Sequence, residues 1–523
     1  MVNINSWPKA LVLVFFVYVL SHFLMLFLYG AWWDDWGLWN VPNKSLYSLL
    51  GPDNFNHPIM YWMIYQISKI NDMELMTFVF RLIPFICWMI STISFFVIVK
   101  KITSNLSFTL YSSLLVASCG INKCIFLIIC YHYTVSISLF MVGLVAFVYD
   151  YYNENRWLKL CTALLWLSSL IVWRSAVLVI PVFMLYVSIL KQNVDLDDYR
   201  KVSTYKNIIE YVFLKYWVLL IALIIFVLLY KTLLAPKGSY VDYYSVSMIN
   251  ILLSPIAIIT SSLSLILGYF SLIFEFFSNN GSKIIYFSPI FILCFFVVRK
   301  VKFETIKNRN YIIITGFLFL AFSLAPHVLR YLEYSYTLTG YSSRVVSLAI
   351  FPLSIIVTYF VFMMPCRFRH PLFVIILSSS IINCYKLYTD FNRGWARNEA
   401  ITLIFEQNSF LEGKNIVVKN RALEFYSFFN EYDRFYEYEG CARMAYGMDT
   451  KTQCVDYYVA PIDSKVDYYM IIDKNNSVDF DNLTYSMKLF TYRILKKSKY
   501  KKMLLEMLHY RIVSSFDYNT LSE

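Results

Sequence analysis

Long apolar runs, separated by short clusters of lysine and arginine, recur along the first three quarters of the chain and constrain its fold more than any other feature. A helix needs about 20 apolar residues to cross the hydrocarbon core of a bilayer. The 523 residues are 59% apolar or aromatic and 15% charged, which excludes a disordered chain, a disulfide-stapled secreted domain and an ordinary cytosolic enzyme. The sequence therefore predicts an all-α polytopic membrane bundle of about 11–13 transmembrane helices.

The apolar runs also suggest where the individual helices lie. The run 157–190 is split at Arg174, and the stretch 247–275 is interpreted as interfacial or re-entrant, broken at Ser254-Pro255. A single crossing at 247–275 would put the basic cluster 299–309 on the wrong side of the membrane. The predicted spans are 9–30, 75–99, 106–121, 124–149, 157–173, 175–190, 213–234, 284–298, 311–329, 343–364 and 371–389.

The net charge of +12 lies in the clusters between spans and therefore indicates topology, not a nucleic-acid partner. Lysine and arginine are enriched in cytoplasmic loops of membrane proteins. A cytoplasmic N-terminus satisfies this rule and predicts that the C-terminus lies outside. The clusters assigned to the cytoplasm are Lys100-Lys101, Arg156/Lys159, Lys191 with 200–206, 299–302 and Arg367/Arg369.

The composition changes after Tyr388, where long apolar runs stop and charged residues and asparagine become frequent. Residues 390–523 are enough for one small α+β extracytoplasmic domain. Alternating apolar residues predict strands at 415–419 and 468–473, and helical patterns cover 395–411 and 499–510.

Cys441 and Cys454 are the two cysteines of this tail, and the other eight lie in or beside the predicted spans. In an extracytoplasmic domain we expect this pair to form a disulfide; two thiols are the alternative. The sequence has no CxxC motif or His/Cys cluster, so no metal site is predicted.

Two adjacent carboxylates, Asp34 and Asp35, follow the first span and are surrounded by four tryptophans in the segment 30–39. One interpretation is an aromatic belt at the membrane interface, with the acids marking the exit into water. The other is a catalytic site, favoured because the first outer loop, 31–74, is long and carries further polar residues such as His57 and Tyr61.

Four arginines lie on the predicted outer side, where topology does not require them: Arg81, Arg174, Arg330 and Arg344. Each could extend to lipid headgroups, and Arg330 could pair with Glu333 three residues on. Together they indicate a pocket for an anionic headgroup, because the planar guanidinium binds phosphate oxygens in pairs.

Carboxylates beside phosphate-binding arginines suit glycosyl transfer from a lipid-phosphate sugar. The leaving group of that reaction is already an anionic phosphate, so one carboxylate base suffices to deprotonate the acceptor hydroxyl. A glycosidic hydrolase would need two separated carboxyl groups, which the adjacent Asp34 and Asp35 do not easily provide.

The order of these motifs resembles the GT-C superfamily of polyprenyl-phosphate-sugar glycosyltransferases, which includes the protein mannosyltransferases and the lipid A aminoarabinose transferase. The first span is followed by the acidic pair, by Asn-His-Pro-Ile-Met-Tyr-Trp at 56–62, and by Phe-Arg-Leu-Ile-Pro at 80–84. A later segment, 342–352, resembles the family's arginine-containing penultimate span. The resemblance is good over residues 1–105 and loose to about residue 365.

The resemblance implies that Asp34 or Asp35 is the catalytic base, with Asp34 preferred. It also implies that Arg81, Arg174 and Arg344 contact the donor phosphate. His57 and Tyr61 lie in the matching motif and Arg330 in the same arginine group, so these three are predicted to bind substrate. The family's second outer loop often carries another acid, which 121–133 lacks, so we predict metal-independent catalysis without a cofactor.

The resemblance leaves other functions open. A transporter or flippase of lipid-linked sugars would share the spans and the cationic pocket, although it would be expected to show internal repeats. An O-antigen or capsule polymerase, a membrane anchor and a non-catalytic scaffold are further alternatives. The expected partners are a polyprenyl-phosphate-linked sugar, a glycan or lipid-linked acceptor and the bilayer, in a bacterial inner membrane.

Overall fold

A computed structural model shows a helical bundle joined to a small sheet domain. It describes residues 6–27, 58–70, 73–119, 127, 130–191, 202–235, 246–279, 284–299, 309–331, 346–420, 435–447, 449–456, 466–474, 506 and 508–514. The α-helices are α1 (Trp7–His22), α2 (Pro58–Ile67), α3 (Met73–Thr103), α4 (Leu106–Ala117), α5 (Tyr131–Asn153), α6 (Arg156–Val172), α7 (Val179–Lys191), α8 (Val202–Thr232), α9 (Met248–Asn279), α10 (Ile284–Arg299), α11 (Arg309–Tyr331), α12 (Ile350–Met363), α13 (Cys366–Gln407) and α14 (Phe435–Tyr446).

Seven of the helices in these ranges are long and apolar enough to cross a bilayer, and three more are shorter but apolar. The chain is therefore an integral membrane protein. The predicted break at Arg174 is confirmed, since α6 ends at Val172, Arg174–Ala176 form a 3-10 turn and α7 begins at Val179.

Helix α3 defines the two ends of the bundle, which we call the Arg81 end and the Lys100 end. At the Lys100 end, the ring of Trp7 in α1 contacts Phe96, with centroids 6.4 Å apart. At the Arg81 end, Nδ1 of His22 in α1 lies 3.0 Å from the hydroxyl oxygen of Tyr388 in α13. Thus α1 and α13 run in one direction and α3 in the other.

Helix α9 is continuous, so the predicted break at Ser254-Pro255 is wrong. Pro255 has no N–H to donate to the carbonyl of Ile251, one turn back. The hydroxyl of Ser254 donates to that carbonyl at 2.9 Å and so satisfies it. The interfacial or re-entrant placement of 247–275 remains a prediction.

Close packing of α5 against α6 depends on Gly143. A Cβ at this position would lie 2.6 Å from Cδ1 of Trp166. The indole is fixed because its Nε1 donates to the Phe140 carbonyl at 3.2 Å. The absence of a side chain therefore lets the two helices approach.

The sheet contains β1 (Asn415–Asn420), β2 (Gln453–Asp456), β3 (Tyr468–Lys474) and β4 (Leu508–Ser514) in the order β2-β1-β3-β4. Strand β1 pairs in parallel with β2 and β3, while β3 and β4 are antiparallel. The strands predicted at 415–419 and 468–473 are confirmed. The helix predicted over 499–510 is wrong at residues 508–510, where pairing with β3 makes a strand; 499–505 and 507 lie outside the described residues.

The predicted division at residues 389 and 390 falls inside α13, which continues from the bundle to Gln407 without interruption. Its last turns belong to an apolar cluster that also contains Met60, Phe80 and Tyr131 of the bundle and Ile416 and Met470 of the sheet. The sheet domain is therefore packed against the Arg81 end of the bundle.

Candidate functional site

Arg81 is the most deeply placed of the predicted arginines, with an exposed fraction of 0%. It lies on the third turn of α3, beside Phe80, whose ring centroid is 6.0 Å from that of Tyr131 in α5. The hydroxyl of Tyr131 donates to the Met60 carbonyl of α2 at 2.6 Å. Three elements therefore fix the backbone that carries Arg81.

A group of aromatic rings continues from Tyr131 across the start of α5 to the end of α6. His132 lies 4.3 Å from the ring of Tyr133 and 5.3 Å from the ring of Trp173, centroid to centroid. Tyr133 and Trp173 are themselves 4.3 Å apart. We call His132, Tyr133 and Trp173 the aromatic bridge, because it connects the surroundings of Arg81 to the residue that follows Trp173.

That residue is Arg174, in the 3-10 turn between α6 and α7. Its Nη2 donates to the Leu234 carbonyl at 3.2 Å, and its guanidinium lies 4.4 Å from the ring centre of Tyr230 in α8. A cation at the C-terminal end of a helix is favourable because the last carbonyls carry partial negative charge. Arg174 thus holds the turn against the end of α8.

Arg330 lies at the last turn of α11, a helix that contacts the turn of Arg174. The Nδ2 of Asn250 donates to the carbonyls of Leu329 and Arg330 at 3.1 and 3.0 Å. His327, one turn earlier, is 3% exposed. Arg81, Arg174 and Arg330 are therefore at the same end of the bundle.

The other predicted site residues are distributed as follows. Tyr61 is half-buried on α2 and belongs to the apolar cluster between bundle and sheet. Asp34, Asp35, His57 and Arg344 lie outside the described residues.

The sheet domain meets this end of the bundle through a buried ion pair. Arg397 on α13 and Glu437 on α14 are 3% and 7% exposed, and Nη2 of the arginine is 3.5 Å from Oε2 of the glutamate. Nε and Nη2 of Arg397 also donate to Oδ1 of Asn398, at 3.2 and 3.0 Å. These bonds keep two charges in the apolar interior and align α14 with α13.

The predicted Cys441–Cys454 disulfide is not formed in the structure, where both residues are thiols at 1% exposure. Sγ of Cys441 in α14 instead donates to the Asn398 carbonyl at 3.4 Å. The pKa of Cys454 is raised well above its ordinary value, first by burial and then by the acidic groups nearby. Both thiols are therefore packed as small apolar groups, and a buried free cysteine needs no disulfide to be accommodated.

Within the described ranges, no group of three or more histidine, cysteine, aspartate or glutamate side chains is arranged to hold a metal ion. No family model matches the chain, and neither the curated proteins nor the solved structures contain a match to it.

Sequence reasoning did not select the aromatic bridge, Tyr230 or His327. A signal existed for two of them. Trp173 directly precedes the arginine that interrupts an apolar run, and His327 is an ionisable residue inside a predicted span. The contacts of Tyr133 and Tyr230 join helices distant in the chain and have no local signal.

Proposed function

We propose that the chain is an integral membrane glycosyltransferase that moves a sugar from a polyprenyl-phosphate donor to a cell-surface glycan or lipid-linked acceptor. The observation that carries the proposal is the common placement of Arg81 and Arg174 at one end of a membrane bundle, connected by the aromatic bridge. An arginine at membrane depth costs a few kcal/mol, and a bound phosphate is a physical reason to retain it.

In the proposed mechanism, Asp34 removes the proton of the acceptor hydroxyl while Asp35 orients the acceptor. Arg81, Arg174 and Arg344 bind the donor phosphate, which departs as an anion and needs no proton. The roles of Asp34, Asp35 and Arg344 rest on the resemblance and not on the described residues.

The proposed location is a bacterial inner membrane with the Arg81 end outward. The sheet domain packs at that end, so this orientation makes the domain extracytoplasmic as well. It also leaves Lys100, Lys101 and Arg156 on the cytoplasmic side, in accord with the positive-inside rule.

The experiment that tests the function measures sugar transfer by the purified protein from a labelled polyprenyl-phosphate donor to a glycan acceptor. Arg81→Met removes a charge-assisted phosphate contact worth about 1.5–3 kcal/mol, so we expect weaker donor binding by one to two orders of magnitude. Arg81→Lys should restore part of it, because charge is kept and the planar fork is lost.

The matched control is Arg367→Met, which removes an exposed arginine from the first turn of α13, at the Lys100 end. We expect donor binding and thermal unfolding of this variant to equal wild type. Wild-type donor binding by Arg81→Met would contradict the proposal. Movement of intact donor across vesicles, without release of polyprenyl phosphate, would support the flippase alternative instead.

A further inference from the structure

An apolar crevice opens at the Lys100 end of the bundle, opposite to the arginines discussed above. It lies among α3, α4, α5, α7, α11 and α12, and the crevice together with the open space at its surface has a volume of about 510 Å³. Phe95 and Val99 of α3, Leu144 of α5, Phe183 of α7 and Phe319 of α11 form most of its wall.

The wall of the crevice is apolar except for two hydroxyls, whose protons are already donated within the protein. Its two hydroxyls belong to Thr103 and Thr315, and each donates to a carbonyl of its own helix. Thr103 Oγ1 donates to Val99 at 2.7 Å, and Thr315 Oγ1 to Tyr311 at 2.6 Å. A water needs two to four polar partners, so hydrocarbon is the ligand that this wall suits.

The crevice reaches the last turn of α3, at the Lys100 end of the bundle, where basic residues also lie. Ile102, Thr103 and Thr315 are half-buried there, and Lys100 stands one turn from Thr103 on α3. Lys9, Lys101 and Arg156 are on helix turns at the same end. Basic residues at a membrane surface attract anionic lipids by about 1 kcal/mol each.

We propose that this crevice holds one acyl chain of an anionic phospholipid, whose headgroup remains beside Lys100. The chain belongs to a lipid of the leaflet at the Lys100 end, because its phosphate is then next to the basic residues. The site does not depend on the proposed glycosyltransferase activity, whose donor phosphate is placed at the opposite end.

The test uses the full-length protein in nanodiscs that contain phosphatidylglycerol with a photoreactive diazirine in its acyl chain. After illumination, mass spectrometry locates the cross-linked peptides. We expect labels on the crevice segments of α3 and α11, around Val99 and Phe319. Phosphatidylcholine with the same chain should label these segments several-fold less, because its headgroup carries no net charge.

Thr315→Phe fills the crevice and should lower this labelling at least fivefold. Ile314→Phe is the matched control, because Ile314 is the adjacent residue of α11 and its side chain is 50% exposed on the outer face. We expect Ile314→Phe to label like wild type. Ile355→Phe fills the crevice from α12 and provides a second variant if Thr315→Phe does not fold.

Labels confined to exposed helix faces, or unchanged by both filling variants, would overturn the proposal. Equal labelling by phosphatidylcholine would overturn the proposal that the bound lipid has an anionic headgroup. Loss of labelling on addition of polyprenyl phosphate would assign the crevice to a prenyl chain and contradict the phospholipid.

Discussion

Arg174 donates a hydrogen bond from Nη2 to the carbonyl of Leu234, at 3.2 Å, while its guanidinium faces the ring of Tyr230 at 4.4 Å. The break between α6 and α7 is thereby attached to the end of α8. Arg174 therefore stabilises the fold, and the proposed function gives it a second role, contact with the donor phosphate.

The two roles of Arg174 predict different effects for two substitutions. Arg174→Met should lower the free energy of unfolding by about 1.5–3 kcal/mol and weaken donor binding at least tenfold. Tyr230→Leu removes only the ring, so it should cost about 0.5–1 kcal/mol and leave donor binding unchanged. Thermal unfolding and donor titration in detergent provide the two measurements. If Tyr230→Leu weakens donor binding as much as Arg174→Met, the separation of roles fails.

The contact of Gly143 with Trp166 predicts a strong effect of one added methyl group. Gly143→Ala would place Cβ 2.6 Å from Cδ1 of an indole that its own hydrogen bond holds in place. We expect a loss of about 1–3 kcal/mol in thermal unfolding. Gly316→Ala is the control and should lose less, since its Cβ would lie 3.1 Å from Cγ1 of Ile356, a smaller overlap. Equal losses would show that the α5–α6 contact has no special requirement.

Local features of the sequence were enough for some elements of this fold. The break at Arg174 could be predicted because a guanidinium inside an apolar run is costly, and β1 and β3 because their residues alternate. Strand β4 could not, since its structure depends on pairing with β3, which is distant in the chain. In α9, the hydroxyl of Ser254 satisfies the carbonyl that Pro255 leaves without an N–H, and propensity does not include such a side-chain bond.

At the Arg81 end, too, some features can be predicted from the sequence and others cannot. The arginines themselves are visible in the sequence as unexpected charges on one side of the bundle. The aromatic bridge joins α5 to α6 through Tyr133 and Trp173, so only the packing of the two helices reveals it. The predicted compartment alone favours a disulfide between Cys441 and Cys454, whereas the burial of both side chains suits thiols.

The state of Cys441 and Cys454 predicts a labelling pattern. Both thiols are 1% exposed, so native protein without reductant should react with neither. After denaturation without reductant, both should label fully, because no bridge protects them. The exposed thiol of Cys366, at the first residue of α13, is the positive control in the native state. Failure of both to label in denaturant until reductant is added would contradict the thiol assignment.

Tyr446 predicts a pH dependence of stability in the sheet domain. Its hydroxyl donates to the carbonyls of Phe405 and Asn408 at 2.9 and 2.7 Å, and burial is the main cause that raises its pKa from 10.0 to about 12. The folded state therefore retains this proton more tightly than the unfolded state. Its contribution is complete below pH 10 and is lost as pH rises towards 12.

The measurement compares wild type with Tyr446→Phe, which removes the hydroxyl and keeps the ring. Wild type should unfold at a higher temperature near pH 8, and the difference should shrink between pH 10 and 12. A difference in unfolding temperature that stays constant over this range would contradict the assignment of the pH dependence to the Tyr446 hydroxyl.

The most direct test of the central claim compares Asp34→Asn with Asp35→Asn in sugar transfer from a polyprenyl-phosphate donor. Loss of a catalytic base should reduce turnover by about 10²–10⁴-fold in the protein that remains folded, and we expect this for Asp34→Asn. Asp449→Asn, an exposed position in the sheet domain, is the control and should retain wild-type turnover. Near wild-type turnover in both Asp34→Asn and Asp35→Asn would make the segment an interfacial belt and would contradict the proposed mechanism.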